Sequence, residues 1–305
     1  MLAFLLKRLV SAVLVALTVS VITFSMTFLT GDPAIALAGE TATQEDLASI
    51  REFYGYDQPI LVQYFNWLTK ALQGNLGHSH YLNQPVATEI FHRLPTTMTL
   101  GVCALIFALV LAIPLGVLAA IRPNSLLDRF ALGIAVVGQA MPSFWFALTM
   151  MLWFAINWQI LPVSGTDTWA HCVMPSMALG YYMTPGVMRL TRAGMLEVLQ
   201  SDYIRTARAK GVSRFSLLFK HALRNAIIPV VSLAAVQFGF MLGGSIVIET
   251  IFAINGLGFL AWESIQRGDL PMMQAIVLVL SVFYILLTFF ADALNAWLDP
   301  RIRLA

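Results

Sequence analysis

The sequence contains six stretches of about twenty mostly apolar residues, and these stretches constrain the fold more than any other feature. They occupy roughly residues 9–29, 98–121, 131–157, 172–190, 226–248 and 272–295. An α-helix needs about 20 apolar residues to cross the hydrocarbon core of a bilayer, and its backbone groups must bond within the segment. The sequence therefore predicts an all-α polytopic membrane protein with six transmembrane helices.

The composition supports this prediction. Of the 305 residues, 59% are hydrophobic and only 11% are charged, whereas a soluble domain carries about 25% charged residues. The first apolar run is too long for a signal peptide, whose apolar region covers about 7–15 residues. We therefore expect residues 1–30 to form a retained first transmembrane helix.

The distribution of lysine and arginine predicts the orientation. If the N-terminus is cytoplasmic, the inner segments hold 14 of the 18 lysines and arginines and the outer segments hold the other 4. Cytoplasmic loops of membrane proteins carry an excess of these residues. We therefore predict an arrangement with both termini inside.

Two regions outside the predicted spans are long enough to have their own structure. Residues 31–97 form a small outer, periplasmic segment, in which we expect a helix over Glu45–Tyr54 with Thr43 as its N-cap and a second over Tyr64–Gln73. The predicted core, residues 98–305, holds five helices and an inner loop over residues 191–225.

The inner loop is rich in basic residues and has a helical pattern. On a helix over residues 203–218, one side holds Ile204, Ala207, Gly211, Phe215 and Leu218. A basic amphipathic helix of this kind either lies on anionic lipid headgroups or docks on another protein. A glycine within the apolar stripe indicates close approach by another backbone or a break between two short helices.

The loop resembles the coupling loop of binding-protein-dependent ABC importers. The general Glu-Ala-Ala pattern of that family falls on Arg205, Thr206 and Ala207, and only Ala207 matches. The dipeptide, oligopeptide, glutathione and nickel branch matches much better, and the similarity covers nearly the whole chain. The matching motifs include Gly31-Asp32-Pro33, Asp57-Gln58-Pro59, Gly74-Asn75-Leu76-Gly77, Met141-Pro142-Ser143-Phe144, Asp202-Tyr203, Ala207-Arg208-Ala209-Lys210-Gly211, Gly243-Gly244-Ser245 and Asp299-Pro300-Arg301-Ile302-Arg303.

The resemblance implies the ABC importer type I permease fold and a multi-pass protein of the bacterial inner membrane. It also implies a second homologous permease, two cytoplasmic ATP-binding subunits and a periplasmic or lipid-anchored solute-binding protein. The loop residues expected to contact the ATPase are Asp202, Tyr203, Arg205, Ala207, Arg208, Lys210, Gly211 and Phe215.

The chain itself has no GxxxxGK[ST] phosphate-binding loop, which predicts that it is not an enzyme and binds no cofactor. ATP and Mg²⁺ are expected on the partner subunits. Dipeptides or oligopeptides lead the substrate expectations, and a nickel chelate, glutathione or an opine is the alternative within the same machinery.

Polar residues within the spans are candidates for a solute path or gate. They are Gln139, Met141, Ser143, Gln237, Ser245 and Glu249, and the alternative role for each is packing between helices. Gln139 to Ser143 interrupt the third span. Glu249 is expected to be either an exposed carboxylate or part of an outer gate, and Asp292 is expected to pair with an inner arginine.

Other functional classes have less support from the sequence. A secondary transporter or channel calls for an ionisable relay within the spans or an inverted repeat, and neither is evident. No histidine lies within the six stretches, which argues against an intramembrane serine protease. His78 and His80 are the only metal-ligand pattern, and two histidines do not make a site, so no metal is expected.

Overall fold

The computed structural model describes residues 2–29, 32–38 and 42–298, and within these residues the fold is all-helical, with one isolated bridge between His78 and Pro85. Gly31 and the motif at residues 299–303 lie outside the described residues. The helices are α1 (Leu2–Leu29), α2 (Pro33–Ala38), α3 (Gln44–Tyr54), α4 (Ile60–Leu72), α5 (Val86–Ile121), α6 (Leu126–Ala140), α7 (Ser143–Met150), α8 (Trp169–Gly180), α9 (Thr184–Leu199), α10 (Asp202–Ala209), α11 (Arg214–Ser216), α12 (Leu223–Ala226), α13 (Ile228–Ile251), α14 (Leu257–Arg267) and α15 (Leu270–Leu298). Two π-helical segments, Met151–Asn157 and Leu217–Ala222, extend α7 and α11.

Four helices among the described residues are long and apolar enough to cross a membrane, namely α1, α5, α13 and α15. A fifth span results if α6 and α7 with its π-helical extension count as one span, although they are bent by 103°. These five coincide with five of the six predicted stretches. The sixth, predicted over residues 172–190, is divided between α8 and α9, so the count of six spans remains a prediction.

The division between α8 and α9 has a local cause. The chain turns at residues 181–183, between Gly180 and Pro185, and Pro185 occupies the first turn of α9. Proline cannot donate a backbone hydrogen bond, so it favours a helix start over a helix interior. Buried residues such as Met174 and Ala178 pack both helices into the bundle. The stretch is therefore kinked and packs against other helices of the bundle.

Small residues bring α5 close to α8 and α9. The buried face of α5 contains Ala104, Ala108, Ala112 and Gly116. A Cβ atom on Gly180 would lie 2.4 Å from the carbonyl oxygen of Ala104, and one on Gly116 would lie 2.7 Å from a carbonyl oxygen of α9. Lipid provides no hydrophobic drive for helices to associate, so this close backbone contact stabilises the bundle through van der Waals packing.

The bundle has two chemically different ends. The basic end holds residues 191–225 and an ion pair of 3.2 Å between Arg8 and Asp292, which confirms the predicted pairing of Asp292. The segment end holds α2, α3 and α4, and there Ser79 donates a hydrogen bond of 2.5 Å to Asp269. The two ends correspond to the predicted inner and outer sides.

The two predicted helices of the outer segment are present. Thr43 caps α3 together with Asp46, whose carboxylate accepts the Thr43 amide at 3.0 Å. The second helix begins at Ile60, four residues before its predicted start. Arg51 on α3 donates to Asp32 at 2.5 Å, and this guanidinium holds the pKa of the Asp32 carboxyl below its usual value. Helix α5 begins at Val86, inside the predicted outer segment of residues 31–97.

Candidate functional site

The third apolar stretch breaks at Met141 and Pro142, as predicted from the sequence. Helix α6 ends at Ala140 and α7 begins at Ser143. The Tyr181 hydroxyl donates a hydrogen bond of 2.5 Å to the Met141 carbonyl, which has no helical partner at the break. A broken span places irregular backbone at membrane depth, and such backbone is tolerated where it is buried in protein or lines a cavity.

A cavity of about 570 Å³ lies beside this break. Four of the six predicted path residues line it together: Gln139, Met141, Ser143 and Gln237. They come from the two sides of the break and from α13, and residues at the turn between α8 and α9, among them Tyr182, complete the lining. Four of the predicted residues therefore meet at one cavity, whereas the contribution of the α8–α9 turn was not predicted.

Ser245, one of the two other predicted path residues, faces the protein interior. It is only 1% exposed, and its hydroxyl donates to the Leu242 carbonyl at 2.9 Å. Ser245 does not line the cavity.

Glu249, the other predicted path residue, is completely buried at the segment end, so the expectation of an exposed carboxylate is wrong. Its carboxylate accepts hydrogen bonds from the Thr97 hydroxyl at 2.8 Å and from the Phe259 amide at 2.9 Å. Glu249 thus binds the first turn of α14, where a negative charge stabilises free backbone N–H groups.

The cavity lining includes four polar side chains and no charged one. Its polar side chains are Gln139, Ser143, Tyr182 and Gln237, and the remaining lining is apolar. A charged residue, Arg189 of α9, contacts this lining: its Nη2 donates a hydrogen bond of 3.2 Å to the Oε1 of Gln139. Ligand pockets of about 300–1,000 Å³ are lined mostly by apolar side chains with a few polar groups that fix the orientation of the ligand, and this cavity has such a lining.

A second contact joins α6 to α9 closer to the basic end. Arg192 Nε and Nη2 each donate to a different oxygen of Asp128 at 2.7 Å. The Asp128 side chain is 2% exposed and that of Arg192 is 21% exposed. The Asn124 amide also donates to Asp128, at 2.8 Å. This fork-shaped, charge-assisted pair is the geometry in which arginine binds carboxylate most strongly.

The basic loop is not the continuous helix predicted over residues 203–218. Helix α10 ends at Ala209, Gly211 has a left-handed φ of 76°, and α11 begins at Arg214. The predicted stripe is therefore divided: Ile204 is buried, but Phe215 is 72% exposed. Of the two explanations offered for Gly211, a break between two short helices is the observed one, because glycine adopts positive φ without strain.

The loop packs on the bundle through a few apolar side chains and exposes the others. Ile204 and Leu218 are buried and Ala207 is partly buried against the same cluster. The exposed members of the predicted contact set are Asp202, Tyr203, Arg205, Arg208, Lys210, Gly211 and Phe215. A Cβ atom on Gly211 would meet no atom of the described residues within 4 Å. The loop thus presents an open, basic surface with exposed aromatic rings.

The histidines of the outer segment do not gather into a metal site. Over the ranges that the structure describes, no group of three or more His, Cys, Asp or Glu side chains is placed to hold a metal ion. Burial lowers the pKa of His80, which lies at the segment end near Asp269. Cys103 and Cys172 are free thiols.

An apolar bundle with a broken span, a cavity with a few polar side chains at the break and an exposed basic loop defines the class of this protein as a membrane-embedded transport component. The chain belongs to the family of binding-protein-dependent transport system inner membrane components. That family matches residues 112–304, and its N-terminal counterpart matches residues 1–101. The predicted family is therefore confirmed, and so is the inner-membrane location.

Relatives and solved structures agree with this membership. The chain is 40% identical to the glutathione transport system permease protein GsiC of Salmonella typhimurium and 39% identical to that of Escherichia coli (strain K12), over 99% of each chain. An inward-facing structure of the MetNI methionine ABC transporter superposes with a TM-score of 0.58 at 20% identity, covering 69% of this chain and 96% of that one. The ABC importer permease fold is confirmed, and the orientation of the termini remains a prediction.

Membership also determines the kinds of partner. A permease of a binding-protein-dependent ABC importer works with ATP-binding subunits, a solute-binding protein and a second permease. The family is a membrane component of transport systems.

Proposed function

We propose that the chain is the channel-forming permease subunit of an ATP-driven importer of short peptides, with glutathione as the first candidate substrate. The solute moves inward by alternating access between two states of the bundle. Its partners are one homologous permease, two cytoplasmic ATPases and a solute-binding protein. ATP and Mg²⁺ bind to the ATPases, and this chain binds no cofactor.

The observation on which this proposal chiefly rests is the open surface of the basic loop. The loop is anchored to the bundle by buried Ile204 and Leu218, while Arg205, Lys210 and Phe215 face outward. Exposed aromatic and arginine side chains are typical of the energetically important centre of protein interfaces. In the proposed orientation this surface faces the cytoplasm, where an ATPase groove receives α10 and the turn at Gly211.

The cavity supports a short peptide as the substrate. A peptide has amide groups that match the amide side chains of Gln139 and Gln237, and it has a size that suits a cavity of about 570 Å³. Relatives with 40% identity are named for glutathione transport, which favours this tripeptide over the dipeptides and oligopeptides expected first. A nickel chelate or an opine remains the alternative within the same machinery.

The experiment that tests the coupling role replaces Gly211 in the intact transporter. Gly211→Ala and Gly211→Trp impose the same positive-φ strain, but only tryptophan fills the open space in front of the loop. Uptake of labelled glutathione into proteoliposomes should persist in the alanine variant and be lost in the tryptophan variant. Both variants should remain in the membrane, because a Cβ atom at this exposed position meets no described atom within 4 Å.

Gly74→Trp is the matched control. Gly74 also has a positive φ, 82°, and open space around its Cβ position, but it lies at the segment end. Normal uptake in Gly211→Trp, or an equal loss in Gly74→Trp, would contradict the assignment of the loop contact. Uptake of dialanine without uptake of glutathione by the unaltered transporter would contradict the choice of substrate.

A further inference from the structure

Arg189 occupies an unusual position for a charged residue in a membrane bundle. It lies in the first half of α9, its side chain is exposed, and its Nη2 donates to the Gln139 Oε1 at 3.2 Å. No carboxylate of the described residues lies within 4.0 Å of its guanidinium. A guanidinium carries five N–H donors, so one neutral amide oxygen leaves most of its binding capacity available.

Arg192, one turn further along α9, is an arginine with a carboxylate partner and serves as a comparison for Arg189. Arg192 donates two hydrogen bonds of 2.7 Å to Asp128 and is largely covered. Arg189 has the same chemistry on the same helix but an uncharged partner. Lipid tails cannot solvate a guanidinium, so an arginine beside the membrane-spanning helices faces water or a protein partner. Arg189 therefore faces one or the other.

The surface around Arg189 continues the lining of the cavity. Gly186, Arg189 and Ala193 follow each other at spacings of three and four residues, which places them on one face of α9, and Tyr182 lies in the turn just before this helix. Tyr182, Arg189 and Ala193 are exposed, and Gly186 is partly exposed. Apart from the tyrosine, which lines the cavity, this face has no large apolar side chain, so it is poorly suited to contact lipid tails.

We propose that Arg189 and Gln139 together form a carboxylate-binding subsite at the edge of the cavity, which binds the carboxyl end of the transported peptide. This proposal rests on the proposed function and names the group that the path recognises. Because the Gln139 oxygen accepts from Arg189, the Gln139 amide nitrogen remains as a second donor beside the guanidinium. Two donors next to one another match the two oxygens of a carboxylate.

The subsite also explains why the rest of the cavity is uncharged. One fixed positive charge at one edge orients a peptide by its carboxylate, while neutral amides and apolar surface accept variable side chains. A carboxylate is common to all unmodified peptides, so the subsite recognises peptides as a class. It discriminates against compounds whose carboxyl groups are masked.

Protection of a cysteine in the cavity tests the subsite without measuring transport. Ser143→Cys is introduced after Cys103→Ala and Cys172→Ala, and the complete transporter is treated with N-ethylmaleimide. S-methylglutathione, which has no free thiol, should slow the modification, and its analogue with both carboxyl groups amidated should not. In the Arg189→Gln background, the concentration giving half-maximal protection should rise about tenfold or more.

Two further variants separate binding of the carboxylate from loss of charge. Arg189→Lys should protect to an intermediate degree, because lysine keeps the charge but not the planar fork. Arg122→Gln removes a positive charge at the basic end, outside the cavity lining, and should leave protection unchanged.

Three results would overturn the subsite: equal protection by the amidated analogue, unchanged protection in Arg189→Gln, or loss of the second permease from the purified Arg189→Gln complex. The last result would mean that Arg189 pairs with a carboxylate of that permease. None of the three affects the comparison of Gly211→Ala with Gly211→Trp, so the failure of the subsite is distinguishable from failure of the proposed function. A fourth result, no protection of any form of the transporter by S-methylglutathione, would also overturn the subsite, whatever the Gly211 variants do.

Discussion

Removing the negative charge of Asp128 should destabilise the bundle strongly, because the Asp128–Arg192 pair joins α6 to α9 in a buried position. Asp128→Asn keeps the size of the side chain and replaces one of its two acceptor oxygens with an NH₂ group. One of the two 2.7 Å hydrogen bonds from Arg192 is lost and the other loses its charge on the acceptor side. Arg192 is then left in a largely buried site without a counter-charge.

The size of the effect follows from these contacts. Hydrogen bonds to charged groups contribute about 1.5–3 kcal/mol each, and removing one partner of a buried ion pair costs about 3–5 kcal/mol. The Arg192 side chain retains 21% exposure, so its guanidinium can recover part of its hydration. We therefore expect Asp128→Asn to lower the free energy of unfolding by about 2–3 kcal/mol, somewhat less than the loss of one partner costs in a fully buried pair.

The assay is reversible unfolding of the purified chain in mixed micelles, combined with a double-mutant cycle. Asp128→Asn, Arg192→Gln and the double variant are compared, and the double variant should be little worse than either single one. Asp202→Asn is the matched control, because it breaks an ion pair with Arg205 whose side chains are 94% and 78% exposed. Exposed pairs of this kind contribute little to stability.

Two results would refute this reasoning. One is a free energy of unfolding for Asp128→Asn within about 0.5 kcal/mol of the unaltered chain, the size expected of an ordinary surface substitution. The other is strict additivity in the cycle, since residues that contact each other should show a coupling energy.

The remaining predictions concern the packing of α5 and the outer segment. Gly180→Ala should cost about 1–3 kcal/mol in the same unfolding assay, because its Cβ would lie 2.4 Å from the Ala104 carbonyl oxygen; an unchanged stability would contradict the close packing. Arg51→Gln should increase hydrogen exchange of α3 at neutral pH. The lowered pKa of Asp32 means that the pair stabilises the fold above the ordinary value of 3.8 and stops doing so as the pH falls through the lowered one. The difference between the variant and the unaltered chain should therefore shrink as the pH falls below 3.8 and disappear only below the lowered pKa of Asp32. A difference that persists after Asp32 is protonated would contradict the ion pair.

The length and hydropathy of the apolar stretches were sufficient to predict most of the fold. Runs of about twenty apolar residues have few structures open to them in lipid, so α1, α5, α13 and α15 were predictable from length and hydropathy alone. The exception is the stretch that became α8 and α9. Pro175, Gly180 and Pro185 are typical of a kink, but hydropathy does not tell a kinked span from two helices with a turn between them.

The candidate site was predictable only where local sequence determines local backbone. Pro142 produced the break that brings Gln139 and Ser143 to the cavity, and that break was visible in the sequence. The helical pattern of the basic loop was misleading, because Gly211 ends α10 and rotates Phe215 away from the stripe. One residue with positive φ is enough to end a helix, and a period of 3.6 residues gives no information on where such a residue interrupts it.

The long-range contacts of α9 were not predictable, since they depend on which helices become neighbours. Nothing in the sequence pairs Arg192 with Asp128, 64 residues away, or Arg189 with Gln139, 50 residues away. Both arginines belong to the excess of basic residues that predicted the orientation. The sequence analysis therefore used their charges to predict the membrane orientation, but it could not predict their contacts within the bundle.

These contacts give α9 a mechanical role that connects the two parts of the proposed function. At its end, α9 shares a buried cluster with Ile204 of the basic loop. In its middle, Arg192 binds α6 through a charged fork, and nearer its start Arg189 reaches Gln139, just before the break in the third span. A displacement of the loop would therefore reach α6 through the charged fork, and it would reach the cavity through the Arg189–Gln139 hydrogen bond and the α8–α9 turn. This arrangement favours α9 and the inner half of the broken span moving together.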